Sequence, residues 1–473
     1  MKAKILAILS LVFFGLSVNA QNNDTKRLPG SWLGVLTLPD GQVIRMVMNY
    51  KMDKDKFSGS FDVPEQFVKN GYIDSVWVEK DSVFADFGTK FGKGTMYKGV
   101  FLPGDSVIEG KWIQGAVFPL NFRPTTYVYT PKSNLNPKFG GYKILKLIES
   151  TPTKDQQNTG TCWSFATTSF IETEAIRLGK KPVVLSPMFF VVPALMDKSE
   201  RYIRMQGNLL FNEGDLTFSA LKAYKKFGAI PEAVYSGKTD PSSTHDHTKM
   251  ENTLLARLKD YVENGRGRIS PDEYKKSIAD IIYKTMTKAP DTFNYNGKKY
   301  TPKLFAKENV GIDPDDYVEV TSYTHHPFYS KFVLEMPSNW DHKLYLNVPL
   351  NDLIAIIDHA LFNNYSVCWD GDIQGLNNGF CKLGKKENIT QQSRQAAFDN
   401  YTTQDDHNMH IVGIAADQDD GRYYIVKNSA AYANCGGYVY MSKDYLLLRT
   451  ISVLVNKGAL PGEVTKKLKA GVL

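Results

Sequence analysis

Cys162 closes the polar turn Asp155-Gln156-Gln157-Asn158-Thr159-Gly160-Thr161 and opens the run Trp163-Ser164-Phe165-Ala166. This pattern predicts a cysteine at the start of a helix. A thiol attacks only as its thiolate, and the oriented N–H groups and partial positive charge of a helix N-terminus favour that anion. Gln156 offers a side-chain amide that can fold back over the turn towards an oxyanion beside Cys162. A lone cysteine here would be read as a buried core residue. Two later segments change that reading. Asp405-Asp406-His407-Asn408-Met409-His410-Ile411-Val412-Gly413 and Tyr424-Ile425-Val426-Lys427-Asn428-Ser429 both read as strands, joined by Asp417-Gln418-Asp419-Asp420-Gly421. In such a hairpin Asn428 can orient the imidazole of His407 while its other nitrogen faces the thiol. The chemistry predicted is acyl transfer through a thioester.

Gln156, Cys162, His407 and Asn428, in that order, resemble the papain-like cysteine peptidases. The resemblance covers residues 140 to 473 and is closest to the bleomycin hydrolase and aminopeptidase C branch. It rests on the Gly228-Ala229-Ile230-Pro231 and Thr324-His325-His326-Pro327-Phe328-Tyr329 segments, on the Gln391-to-Asp406 approach to His407, and on Thr159, where papain carries a disulfide-forming cysteine. The separation of Cys162 from His407 also exceeds that of compact papain-like enzymes by about a hundred residues. The family pattern places Val-Gly after the histidine at the spacing of Val412 and Gly413 from His407, which selects His407 over His410. Strand alternation adds that residues three apart point to opposite faces, so only one of the two can meet Cys162.

The resemblance implies a two-lobed α+β fold with a helical lobe and a β-barrel lobe. It also implies catalysis by Cys162, His407 and Asn428, with Gln156 in the oxyanion hole. Gly214 falls where the family binds substrate backbone, although only one glycine is present. In the branch the chain's own C-terminus enters the cleft, so the carboxylate of Leu473 is expected to meet a substrate's free amine. That gives an aminopeptidase, and a homo-oligomer is compatible with it. An endopeptidase, or a catalytically weak binding protein on the same scaffold, is the alternative. One departure stands out: Asn428-Ser429-Ala430-Ala431 has alanine where the family has a tryptophan shielding the Asn–His bond. That bond is expected to be wetter and weaker unless Tyr432 or Trp369 fills the space.

The rest of the chain must position these residues. Lys2 and Lys4 precede the apolar run Ile5 to Val18, ending at Val18-Asn19-Ala20, which reads as an export leader over residues 1–20. The mature protein is therefore expected in the periplasm or outside the cell, with no membrane-spanning segment. The net charge of +7 is small and spread along the chain, so nucleic acid is not an expected partner; peptides are. No cofactor or metal is expected, because no second pair of ligands accompanies His245 and His247 or His325 and His326. Cys368 and Cys381 are the plausible local disulfide pair in an exported chain. Residues 28–128 alternate in about eight short strands with turns at Asp40-Gly41 and Pro103-Gly104-Asp105, predicting a small antiparallel barrel or sandwich. The segment resembles lipocalin-like accessory modules, and its role could be binding, spacing or assembly. Residues 129–141 read as a linker and 142–473 as the peptidase, with a largely helical insertion over about 236–345.

Overall fold

The computed structural model describes residues 27–37, 43–54, 56–63, 68–88, 94–104, 106–127, 142–240, 243–265, 267–374, 382–384, 387–417, 421–430, 434–468 and 471–473. The chain forms two compact units, one of residues 1–65 and 69–129, the other of 66–68 and 130–473.

In the first unit, the described residues form a sheet of ten strands: β1 (Gly30–Thr37), β2 (Val43–Asp53), β3 (Lys56–Val63), β4 (Val68–Tyr72), β5 (Ser75–Glu79), β6 (Ser82–Asp86), β7 (Met96–Phe101), β8 (Ile108–Gln114), β9 (Ala116–Pro119) and β10 (Phe122–Pro124). They lie in the order β4-β3-β2-β1-β10-β8-β7-β6-β5, with β9 on β8. Alternation sends Trp32, Phe61, Phe87, Tyr97, Trp112 and Phe122 into one aromatic core. Tyr97 lies edge-on to Phe122, with ring centroids 4.9 Å apart. Gly99 and Gly110 face each other across β7 and β8 because a Cβ on either would sit 2.4 Å from the Tyr97 hydroxyl. Two strands exceed the eight read from sequence. In β4 the Lys-Asn-Gly interior hides the strand pattern, and β9 follows β8 through a tight turn at Gly115, whose φ is 66°.

The second unit opens with β11 (Lys143–Leu147) and the cysteine helix α1 (Cys162–Arg177), followed by α2 (Met188–Arg204), α3 (Thr217–Phe227), α4 (Thr248–Asn264) and α5 (Pro271–Thr285). Every residue of α1 from Cys162 to Ala175 is buried, so the helix runs through the middle of its lobe rather than along a surface. The chain then turns to β-structure: the hairpin β12 (Phe293–Tyr295) and β13 (Lys298–Tyr300), then β14 (Tyr317–Thr321), β15 (Ser330–Val333) and β16 (Leu344–Asn347). The expected insertion over 236–345 is therefore helical only in its first half. Its last strands belong to the large sheet, where β14 pairs with the distant strand Thr450–Asn456.

That sheet is completed by β17 (Val367–Gly371), β18 (Lys382–Leu383), β19 (His407–Ala416), β20 (Arg422–Lys427), β21 (Tyr438–Ser442) and β22 (Thr450–Asn456), in the order β15-β16-β14-β22-β17-β19-β20-β21-β18, with β11 on β19. Helix α6 (Leu350–Phe362) packs its apolar face on it, and α7 (Gln391–Asp399) and α8 (Lys443–Arg449) flank it. Gly413 marks a register shift in β19. A Cβ there would meet the Lys146 carbonyl of β11 at 2.5 Å, so the close approach of the two backbones requires glycine.

Candidate active site

The first turn of α1 lacks a side-chain cap. Thr161 occupies the N-cap position, but its hydroxyl is hydrogen-bonded to that of Thr159 at 2.6 Å. Helix α5 shows the contrast, with Ser270, Pro271 and Glu273 forming a full capping box. Leaving α1 uncapped keeps first-turn amides for other acceptors, and the Cys162 sulfur accepts backbone N–H groups from Trp163 and Asn408. Cys162 is 9% exposed. Burial pushes it up to about 12, the carboxylates of Asp405 and Asp406 push the same way, and the two amides oppose them.

His407 begins β19, paired with Gly371 of β17. Its Nε2 donates to Asn428 Oδ1 at 2.7 Å, which leaves Nδ1 as the acceptor. Burial lowers the affinity of the ring for a proton, while Asn428 and Asp406 favour the charged form. Burial therefore disfavours the charged form of both thiol and imidazole. Asn428 is fixed by its N–H to the Gly437 carbonyl at 2.8 Å and by accepting the Ser429 N–H at 2.8 Å.

Gln156 ties the two sides together. Its N–H donates to the Ser429 carbonyl at 2.9 Å, and its Oε1 accepts the Ser429 hydroxyl. One Nε2 hydrogen goes to the Thr159 carbonyl at 2.7 Å, and the other has no acceptor among the described residues.

Cys162, His407, Asn408 and Gly214 line one cleft of about 720 Å³, together with Asp215, Glu335, Asp399, Asp405 and Asp406. The carbonyl of Gly214 accepts from the buried Lys198 ammonium at 2.5 Å. Asp405 is hydrogen-bonded to the fully buried Asp370, and burial raises both carboxyls. Leu473 is not among the residues lining the cleft. It lines a separate cavity with Phe218, Glu319, Lys331, Lys343 and Lys457.

His410 is completely buried, with Nδ1 at 2.9 Å from the Ser169 hydroxyl of α1. It does not line the cleft that His407 shares with Cys162. His410 meets the helix two turns beyond Cys162, about 10 Å along it at the helical rise of 1.5 Å. Cys368 is a free, buried thiol facing Thr167, so the expected pairing with Cys381 is not made; Cys381 lies outside the described residues. Trp369 is packed in the core of the sheet with its indole N–H donated to Thr450 at 2.8 Å, while Tyr432 lies outside the described residues.

His325 and His326 converge on Glu335, at 3.0 and 2.6 Å from its two oxygens. Gln395 donates to His325 Nδ1 at 3.1 Å, so the nitrogen facing Glu335 carries the proton rather than a lone pair for a metal. Sequence reasoning missed Glu213 and His247, whose buried side chains pair beneath the Cys162 turn.

Residues 196–472 match the Peptidase C1-like family, well over half of the chain. The chain belongs to that family. The match includes Gly214, His407 and Asn428, and begins after Gln156 and Cys162. Cysteine proteinase 1, mitochondrial, of Saccharomyces cerevisiae (strain ATCC 204508 / S288c) is 23% identical over 386 residues, covering 68% of this chain and 78% of that protein. Aminopeptidase W of Lactobacillus delbrueckii subsp. lactis is 22% identical over 376 residues, 68% of this chain and 84% of that protein. The crystal structure of PepW from Lactobacillus rhamnosis HN001 superposes with a TM-score of 0.58 at 18% identity, over 71% of this chain and 87% of that one. At that identity the superposition is a likeness of fold: a two-lobed papain-like α+β domain, here preceded by a small all-β unit. The protein is a cysteine peptidase of the bleomycin hydrolase and aminopeptidase C type. Among the described residues, no helix is long and apolar enough to cross a membrane.

Proposed function

We propose that the chain is an exported aminopeptidase in which Cys162 is the nucleophile, His407 its base and Asn428 the residue that orients the imidazole. The observation that carries this reading is the 2.7 Å His407–Asn428 bond at a cleft that Cys162 also lines. The proton passes from sulfur to His407 Nδ1, and sulfur attacks the peptide carbonyl. The carbonyl electron pair moves onto oxygen, where the Cys162 N–H and the remaining Gln156 N–H receive it. His407 then protonates the departing amine as the C–N bond breaks. Water, deprotonated by His407, cleaves the thioester to release the acid and restore the thiol. The Gly214 N–H holds substrate backbone.

Specificity for free amines is supported by the five carboxylates lining the cleft and by the aminopeptidase names of relatives. A substrate ammonium gains from such a lining in a water-poor site. The position of Leu473 in another cavity favours a second reading, an endopeptidase whose cleft is open at both ends.

An epoxide that traps papain-type thiols should modify the wild type at Cys162 and leave Cys162→Ala unlabelled and inactive. Peptides with a free N-terminus should be cut faster than their N-blocked counterparts. Absence of labelling rejects the nucleophile, and preference for N-blocked peptides rejects the aminopeptidase and leaves the endopeptidase. Export through residues 1–20 predicts that protein recovered outside the cytoplasm begins at Gln21; an intact Met1 there would reject the leader.

A further inference from the structure

Glu213 precedes the cleft-lining Gly214, but its own carboxylate is buried behind the site, with a side chain 2% exposed. Its Oε2 accepts the Gly160 N–H at 2.8 Å, and its Oε1 is bonded to His247 Nδ1, on a ring that is also 2% exposed. The Glu213 backbone is fixed as well. Its carbonyl accepts the indole N–H of Trp163 at 3.1 Å, and its N–H donates to Glu251 at 2.9 Å. A residue held at three points therefore grips an amide in the turn just ahead of Cys162.

The same turn is clamped by residues 245–247. Asn158 donates its N–H to the His245 carbonyl, and His247 donates its N–H to the Asn158 carbonyl, each at 3.2 Å. The His245 N–H reaches Gln157 Oε1. Gln157 has a φ of 59°, a left-handed conformation that a side chain disfavours, so the surroundings must impose the shape of the turn. That shape sets the Gln156 amide and the Cys162 N–H. Oxyanion donors work only when placed before charge develops.

We infer that Glu213, oriented by His247, is a positioning residue for the oxyanion hole. Its hydrogen bond to Gly160, in a dry environment, holds the donor-bearing turn in register with the thiol. The inference rests on the reading of Cys162 and Gln156 given above.

The test compares two reactions of the same thiol. Peptide hydrolysis passes through an oxyanion, whereas alkylation by iodoacetamide displaces iodide at a saturated carbon and makes none. Glu213→Ala should lower kcat by about a hundredfold, with KM and the alkylation rate each within about threefold of wild type. Glu213→Gln can still accept from Gly160 with its oxygen and donate to His247 with its amide, so kcat should recover to within about tenfold. If wild-type Cys162 is not alkylated, the nucleophile assignment fails. If it is alkylated, and Glu213→Ala leaves kcat unchanged or slows alkylation as much as hydrolysis, the positioning role is overturned. Should Glu213→Ala not fold, Glu213→Asp is read in its place. It keeps a carboxyl group but shortens its reach to Gly160 by one methylene, and should show the same split between the two reactions.

Discussion

His407 and His410 stand three residues apart on one strand and both approach the cysteine helix, yet their surroundings differ. His407 meets the cleft, has one nitrogen fixed by Asn428 and keeps the other for a ligand. His410 is sealed against Ser169 and Phe170, with Lys427 donating to the same Ser169 hydroxyl at 2.6 Å. Its Nε2 finds no partner among the described residues, and burial with the nearby Lys427 pushes its proton affinity well down. Residue type and strand are shared between the two. Access to the cleft and an asparagine that orients the ring are not, and they are what make a base.

The comparison breaks most visibly at the histidines themselves. His407→Ala should lower kcat by about a thousandfold, whereas His410→Gln should leave kcat within about twofold and show its effect in the melting temperature. A loss of turnover confined to His410→Gln would reverse the assignment. Next in size, Gln156→Ala should cost about a hundredfold in kcat with little change in KM. An unchanged kcat would leave the backbone N–H of Cys162 as the oxyanion donor that matters.

The dry side of the comparison is sharpened by Lys427. Burial brings its ammonium from the usual 10.5 down to about 7. Between those values the unfolded chain binds a proton that the folded chain does not, so this group makes stability rise with pH from about 7 towards 10.5. Denaturant titrations across that range should show a steeper rise for wild type than for Lys427→Met, and equal slopes would reject the buried, uncharged lysine. The smallest effect is expected at Ala430. If the His407–Asn428 bond is under-shielded, Ala430→Trp should raise kcat about threefold, and no gain in a folded variant would mean that the bond is already covered.

What was readable in the chain divides along the range of the interactions. The fold class and the family follow from local strings: the Gln156-to-Ala166 run, the two strand patterns around His407 and Asn428, and the short alternating strands before residue 128. The Glu213–His247 pair has no such signature. Its two residues are far apart in sequence, and only the folded turn shows that both lie beneath Gly160. The second half of the insertion was misread because Tyr317–Thr321 becomes a central strand only when Thr450–Asn456 arrives beside it. Of the two histidines only His407 shares the cleft with Cys162, while His410 is packed on Ser169. Leu473 was placed by resemblance, and nothing local to Ala470-Gly471-Val472-Leu473 specifies which cavity such a segment enters.

The missing cap on α1 has a thermodynamic consequence. A helix start without its side-chain acceptor gives up roughly 1 kcal/mol, and the group that can restore it is the oxygen that a bound adduct places beside Cys162. The ligand then acts as part of the fold. A peptide aldehyde that adds to Cys162 as a hemithioacetal should raise the melting temperature more than an alkylating agent of similar size, because it alone supplies the oxygen that the first turn lacks.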